Sequence, residues 1–443
     1  MADQIYKASI LTLGCRVNQY ESDSIVAALH GAGVVTVPFG EKCDIAIINT
    51  CTVTAESDRK SRQMIRRAAS FSDRIAVTGC YAQISGDEAA SLDKVVYVCG
   101  NGGKAELASV VLSILRGEYD GPVNAVVPPV SRSVTEMTLC TPMRTRSYIK
   151  IEDGCDNRCA YCLISTARGP VRSKARETVL AEAETLSRDT HEIILTGIET
   201  AAYGADFTPR QPYGHALADL ICDVGKIGTV ERIGLGSLDP TVMSDYFVTK
   251  IAAETKVLPH FHLSIQSGST KILAAMQRKY RADMALEAIE RMKKAMPDAT
   301  FSCDVIVGFP GETDEDFSDT VEFCRKVGFL HLHIFPYSKR IGTKAADMPE
   351  QIPQEEKFRR AALLEDVGRN IKNELLDRYI SDHSRAVGSP VYVLAEKSRG
   401  GVTSGHSEHF AEVTVGGCSA KIGEIVPVYL TSHDGDKCKG ERV

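Results

Sequence analysis

Three short stretches near the N-terminus repeat one pattern of apolar and polar positions. Residues 9–15 (SILTLGC), 44–51 (DIAIINTC) and 73–80 (DRIAVTGC) are β-branched apolar runs, each closing on a small or polar residue and then cysteine. Runs of this length without polar alternation read as strands buried on both faces, as in a parallel sheet. Between them the period becomes helical. Ile25, Val26 and Leu29 stand behind Glu21, Ser22 and Asp23 within residues 20–30, and residues 57–69 begin at an N-cap candidate, Ser57. Alternating strand and helix predict a doubly wound parallel sheet of α/β class, whose carboxyl strand ends share the edge where ligands bind. Cys15, Cys51 and Cys80 are expected to meet there, in a domain spanning 1–116.

Residues 117–146 lose periodicity and carry Pro122, Pro128, Pro129 and Pro142, which marks them as a linker. Six strand-like runs follow, at 147–155, 191–197, 231–237, 260–269, 301–313 and 330–338, with helical segments such as 174–188 and 283–295 between them. Six βα units predict a partial (β/α)6 barrel with its chemistry at the carboxyl strand ends, closed by a long charged helix over roughly 354–378. The barrel domain with this helix is taken as 147–380. In 381–443, VYVLAE, AEVTV and EIVPVYL between Gly-rich turns predict a small antiparallel β-barrel.

Charge and composition narrow the choice of partners. Fifty-two Lys and Arg against 58 Asp and Glu give a net charge of −6, so any RNA contact must come from a local basic patch. The C-terminal segment does not supply one in bulk, with seven basic against eight acidic residues over 381–443. Arg59, Arg62 and Arg66 do form a basic helix face, with Lys60 and Arg67 beside it, suited equally to phosphate and to solvent. No apolar run is long enough for a membrane span, and the first fifteen residues do not read as a secretory signal, so the expected location is the cytoplasm. Fourteen cysteines in a reduced compartment then point to metal rather than to disulfides.

The tightest group is Cys155-Asp-Asn-Arg-Cys159-Ala-Tyr-Cys162, a C-x3-C-x2-C loop directly after the first barrel strand. Three such thiolates suit a four-iron cluster with one iron free of protein ligand, or a zinc with an open position. His260 and His262 share one strand face, as do His331 and His333. With iron already accounted for, no separate metal site is expected at these histidines.

The cysteine loop resembles the signature of radical S-adenosylmethionine (SAM) enzymes, in which the unliganded iron chelates the methionine moiety of SAM, and Tyr161 fills the aromatic slot before the third cysteine. Thr196-Gly197, Ser237-Leu-Asp-Pro240, Gln266-Ser-Gly-Ser269, Asp304-Val-Ile-Val-Gly308-Phe-Pro-Gly311 and Phe335-Pro-Tyr337-Ser-Lys-Arg340 resemble, in that order, the segments lining the SAM pocket. Taken singly, Gly-Phe-Pro-Gly reads as a turn and Gln-Ser-Gly-Ser as a helix cap. The resemblance makes Tyr161, Gly197, Glu199, Ser237, Gln266, Asp304 and Tyr337 candidates for binding SAM.

With Cys15, Cys51 and Cys80, the chain resembles the radical SAM methylthiotransferases, where that trio holds an auxiliary cluster and a TRAM-like module, here around Gly405-His406-Ser407, grips RNA. Thr12-Leu-Gly-Cys15-Arg-Val-Asn18-Gln-Tyr20-Glu-Ser22, Asn49-Thr-Cys51, Ser57-Asp-Arg59 and Gly79-Cys80-Tyr81 resemble the class acting on threonylcarbamoyladenosine in tRNA, the MtaB type. Departures from the pattern fall at Ser165, Thr166, Glu199, Gly234 and Gly236, beside the expected pocket.

The resemblance implies two [4Fe-4S] clusters, SAM, a tRNA substrate modified at adenosine 37, and an electron donor of flavodoxin or ferredoxin type, with the sulfur donor unspecified. One SAM would methylate a sulfur on the auxiliary cluster, and a second would be cleaved to the radical that opens C2 of the purine. Such chemistry suits a carbon with neither an acidic proton nor a leaving group. No catalytic side chain is implied beyond the cluster ligands. The alternatives are a methylthiotransferase for another tRNA adenosine or a ribosomal protein, and a non-catalytic iron–sulfur scaffold that binds RNA.

Overall fold

The computed structural model describes residues 5–128 and 137–443. At the N-terminus, β1 (Lys7–Thr12), β2 (Val35–Val37), β3 (Ile45–Thr50), β4 (Ile75–Gly79) and β5 (Val95–Val98) form an all-parallel sheet in the order β2-β1-β3-β4-β5. Every residue of β3 and β4 is buried, which accounts for their unbroken apolar runs. The short β2 and β5 lack that signature and escaped the sequence reading. Helix α1 (Arg16–Gly31) is longer than expected, and Glu21, Ser22 and Asp23 are buried together with its apolar face. Residues 20–26 are buried on every side of the helix, and only its last turn, at Ala28, His30 and Gly31, is exposed. Helix α2 (Ala55–Ala68) is capped by Thr54, whose hydroxyl accepts from the Ser57 amide, so Ser57 lies inside the helix and is not its cap.

The six expected barrel strands are present as two parallel three-stranded sheets. One holds β6 (Ser147–Lys150), β9 (Glu192–Thr196) and β10 (Arg232–Leu235), in the order β10-β9-β6, and the other β11 (His260–Gln266), β12 (Thr300–Val307) and β13 (His331–Pro336). A small hairpin of β7 (Glu152–Asp153) and β8 (Arg172–Ser173) extends past β6. Isolated bridges at Ile233–Val257 and Leu238–Leu263 join the sheets into one open arc. Its core includes Ile149, Ile193, Leu220, Phe247, Phe261 and Phe301. Pro129 and the rest of 129–136 lie outside the described residues. The described ends of the linker are packed: Val98 bridges to Asn124, and Leu139 is buried in the barrel core.

A helix of 29 residues, Gln354–Asp382, runs on to the C-terminal domain. Leu364 and Ile371 belong to the barrel core, while Leu376 and Tyr379 belong to the next one. There β14 (Val391–Arg399), β15 (Val402–His406), β16 (Glu412–Gly416), β17 (Ile425–His433) and β18 (Cys438–Arg442) close a barrel in the order β14-β15-β16-β18-β17. The expected antiparallel pairing holds for all ladders except β16 with β18, which is parallel. Closure leaves no free sheet edge. Among the described residues no helix is long and apolar enough to cross a membrane.

Candidate active site

Cys15, Cys51 and Cys80 follow β1, β3 and β4, so the parallel sheet delivers all three to one edge. The approach is close. Gly14 has φ +98°, and a Cβ there would lie 2.9 Å from Cys51 Sγ, so only glycine lets the first turn pass the second cysteine. Asn18 fixes the same corner, donating to Leu13 O at 2.8 Å and Thr50 O at 3.0 Å. Cys15 is exposed while Cys51 and Cys80 are buried. Burial raises the Cys51 thiol to about 11, and the charges of Cys80 and Cys15 add to the effect. Such thiols ionise when a metal group supplies the compensating positive charge.

The second trio sits on the loop after the β7 strand. Gly154, at φ +86°, lets that loop fold against the Pro170 carbonyl, 2.0 Å from where a Cβ would stand. Cys155 N then donates to Gly169 O at 3.0 Å. The sulfurs face donors: Asn157 N lies 3.4 Å from Cys155 Sγ, Ile164 N 3.4 Å from Cys162 Sγ, and Arg278 Nη1 3.4 Å from Cys159 Sγ. Donors aimed at sulfur stabilise thiolate and tune a cluster's potential. Among the described residues no three His, Cys, Asp or Glu side chains are placed to hold a single metal ion. Asn101 Nδ2 lies 3.7 Å from Cys80 Sγ and donates to Ala167 O at 2.8 Å, so Cys80 sits beside the short helix Ile164–Arg168 that follows the loop trio.

Between them lies a buried ionic junction that the sequence reading missed. Arg168 donates to Glu21 Oε1 at 2.9 Å, Asp153 Oδ1 at 2.8 Å and Asn18 Oδ1 at 2.6 Å, and is fully buried. Lys104 also pairs with Glu21, and Lys150 reaches both Glu21 (3.0 Å) and Asp153 (3.3 Å). Burial alone would raise the Glu21 carboxyl, but Arg168, Lys104 and Lys150 hold it well below the carboxylate range. Arg172 also lies 3.4 Å from Asp153, so four cations on two carboxylates tie α1 to the barrel beside both cysteine groups. Only the burial of Glu21 on α1 could have signalled this, and burial is not visible in periodicity.

The candidate SAM residues divide. Tyr161 belongs with the apolar cluster of Ala160, Phe309 and Tyr337, which backs the cysteine loop, and Tyr337 is packed inside that cluster. Gly197 leaves no room for a side chain, because a Cβ would stand 2.6 Å from Glu152 Oε2. Glu199 is buried, with Asn157 Nδ2 at 3.4 Å and the Tyr213 hydroxyl at 3.3 Å, and burial together with Asp239 raises its carboxyl to about 7. Ser237 is half-buried just past β10. Gln266 ends β11 at φ +71°, an uncommon conformation for a residue with a side chain. Asp304 lies 3.3 Å from His262. Ser269 and Thr313 both cap helices, accepting from Ile272 N and Asp316 N, so the structural reading of those motifs holds. Arg340 turns to the N-terminal domain, 2.7 Å from Asp58 and 2.6 Å from Thr52.

Arg278 is a further residue that the sequence reading missed. Besides Cys159 it holds Asp239 at 2.8 Å, and it lies over the Tyr280 ring. On α2, Arg59 pairs with Glu56, and Arg62 lies 3.6 Å from Glu88 and over the Tyr81 ring, while Arg66 is exposed.

Residues 149–324 match the radical SAM superfamily, and residues 7–100 match the family described as uncharacterized protein family UPF0004. The methyltransferase TsrM from Kitasatospora setae shares the fold, with a TM-score of 0.55 over 77% of this chain and 75% of that one at 13% identity. Fold and cysteine loop together define a radical SAM protein with an added N-terminal sheet domain. A threonylcarbamoyladenosine tRNA methylthiotransferase MtaB from Bacillus subtilis is 35% identical across 95% of this chain and 92% of its own. One of the same name from Thermotoga maritima is 36% identical across 96% and 94%. The chain belongs to this family of radical SAM tRNA methylthiotransferases.

Proposed function

We propose that the protein replaces the C2 hydrogen of N6-threonylcarbamoyladenosine, at position 37 of tRNA, with a methylthio group. The observation that carries this reading is a pair of cysteine trios, linked through Asn101, in a chain that matches MtaB proteins at 35–36% identity over nearly its whole length. Two [4Fe-4S] clusters and SAM supply the radical and sulfur chemistry when bound. Cys155, Cys159 and Cys162 would hold one cluster, and Cys15, Cys51 and Cys80 the other.

The chain's own part is placement. Arg168 and Glu21 link the barrel to α1, Arg278 and the loop amides face the barrel sulfurs, Glu199, Gln266 and Ser237 lie at or just past the strand ends where SAM would sit, and Asp304 lies inside β12. Residues 1–116 would serve the auxiliary cluster, 147–380 radical formation, and 381–443 the RNA, joined by Arg59, Arg62 and Arg66. A reductant of flavodoxin or ferredoxin type and cytoplasmic location complete the reading.

Mass spectrometry of tRNA nucleosides from cells with and without the gene tests it. The methylthio form of threonylcarbamoyladenosine is expected only when the gene is present. Its formation in both strains, or a change confined to another adenosine, overturns the substrate assignment.

A further inference from the structure

Three parts of the chain meet around a cavity of about 280 Å³. Arg16, the first residue of α1 and the neighbour of Cys15, enters from the N-terminal domain. Gly234, His260, His262 and His333 come from the barrel strands, and His406 and Phe410 from the C-terminal barrel. The volume lies just under the range of about 300–1,000 Å³ for sites that enclose a whole ligand, so it suits a substituent better than a nucleoside.

The lining has one fixed charge. Among the described residues Arg16 makes no ion pair, and its only recorded side-chain partner is the Phe410 ring, 5.9 Å from the guanidinium carbon. Its charge reaches into the cavity, adding to the burial that lowers the pKa of both His260 and His333. His260 and His262 have both ring nitrogens engaged, by Thr300, Ser302 and Asp304. His333 is exposed to the space and makes no side-chain hydrogen bond among the described residues, and His406 uses only Nδ1, on Glu396 at 2.7 Å. Phe410 is held at φ +64° with its ring stacked on His260 and His406, both at 4.8 Å. A bulky residue in that conformation is a costly fixture, and here it walls the cavity beside His260 and His406. The chamber thus offers one unneutralised guanidinium and the imidazoles of His333 and His406 to a small anionic, hydroxylated group.

We infer that this cavity binds the threonyl end of the substrate's N6 substituent, with Arg16 on the carboxylate and His333 and His406 beside the carboxylate or hydroxyl. The inference rests on the substrate reading above and makes Arg16 a specificity-determining residue: the site recognises the adenosine by the acid it carries. A guanidinium without a counter-ion favours a carboxylate over a neutral isostere.

The test uses the full chain, reconstituted anaerobically, and two anticodon stem-loop RNAs. One carries threonylcarbamoyladenosine, and the other the same group with its carboxylate converted to the carboxamide. The wild type is expected to prefer the acid in kcat/KM on the order of 100-fold. R16Q should lose about that factor on the acid and change little on the amide, and R16K should recover most of the acid rate. Equal slowing of both loops by R16Q, or a wild type indifferent to the carboxylate, overturns the inference while leaving the activity intact. Product on neither loop from the wild type overturns the substrate reading and this inference with it. If R16Q loses iron, H333Q, distant in sequence from every predicted cluster cysteine, carries the same comparison: selective loss on the acid supports the chamber, and equal loss overturns it.

Discussion

The two cysteine trios are assembled in opposite ways. Cys155, Cys159 and Cys162 hang on one loop, so chain connectivity brings them together before any long-range contact forms. Cys15, Cys51 and Cys80 come from three strand ends and meet only once the parallel sheet exists. Their surroundings differ as well. Two backbone amides and the charged Arg278 side chain point at the loop sulfurs, whereas the dispersed trio's sulfurs take the backbone amides of Asn18 and Val53 and the neutral Asn101 amide, 3.7 Å from Cys80. A local site survives changes elsewhere in the fold, and a dispersed site reports on the whole sheet.

The largest expected effect breaks the local site. Replacing Cys155, Cys159 and Cys162 with alanine should abolish reductive SAM cleavage and remove about half of roughly eight irons, as read by iron assay and 5′-deoxyadenosine formation. Unchanged iron would show that the loop holds no cluster. The matching change at Cys15, Cys51 and Cys80 should remove the other half and end methylthio product while 5′-deoxyadenosine still forms. Product from that variant would end the division of roles between the trios.

Between the sites, Arg168→Met would remove the guanidinium that Glu21 and Asp153 share, leaving Lys104 and Lys150 on Glu21 and Lys150 and Arg172 on Asp153. A loss of about 3–5 kcal/mol in urea unfolding is expected, and a midpoint equal to wild type would show that the junction does not tie the domains. A smaller change concerns Glu396. Burial would raise its carboxyl, but His406 and Arg146 bring it down to about 2. Its contribution is therefore complete above the unfolded value of about 4.3 and is lost as pH falls toward 2. Glu396→Gln should cost about 1–2 kcal/mol at pH 7, allowing for partial exposure, and progressively less by pH 3; a pH-independent difference would refute the ionic account. Smallest of all, Arg66→Gln should reduce the salt slope of tRNA binding by about one counterion. Arg59→Gln and Arg62→Gln should do less, since both arginines already face carboxylates. An unchanged slope for all three would return the helix face to solvent.

The same contrast explains what could be read from the chain. The loop trio is visible as spacing, and the dispersed trio as three apolar runs each ending in cysteine, because strands buried on both faces leave a linear imprint. The edge strands Val35–Val37 and Val95–Val98 were missed because they are three and four residues long. The reading of α2 began at Ser57 because Ser and Thr are equally good caps, and only the hydrogen bond from Ser57 N to Thr54 decides between them. Arg168, Lys104 and Arg278 stayed hidden for another reason: each owes its role to a partner more than eighty residues away, and one sequence has no term for such pairs. Arg16 was quoted within a motif, but the chamber it enters is lined by residues from all three domains.

The helix Gln354–Asp382 has a consequence of a mechanical kind. At about 1.5 Å per residue its 29 residues make a spar some 43 Å long, rooted in one core and ending in another. A spar seated at both ends has no hinge, so the C-terminal barrel is carried at a set reach and a set azimuth. Inserting a single residue midway would advance it by about 1.5 Å and swing it through about 100°, taking His406 and Phe410 out of line with Arg16. Length in this helix is thus quantised in whole turns, and the molecule behaves as a caliper whose jaw cannot be reset by small increments.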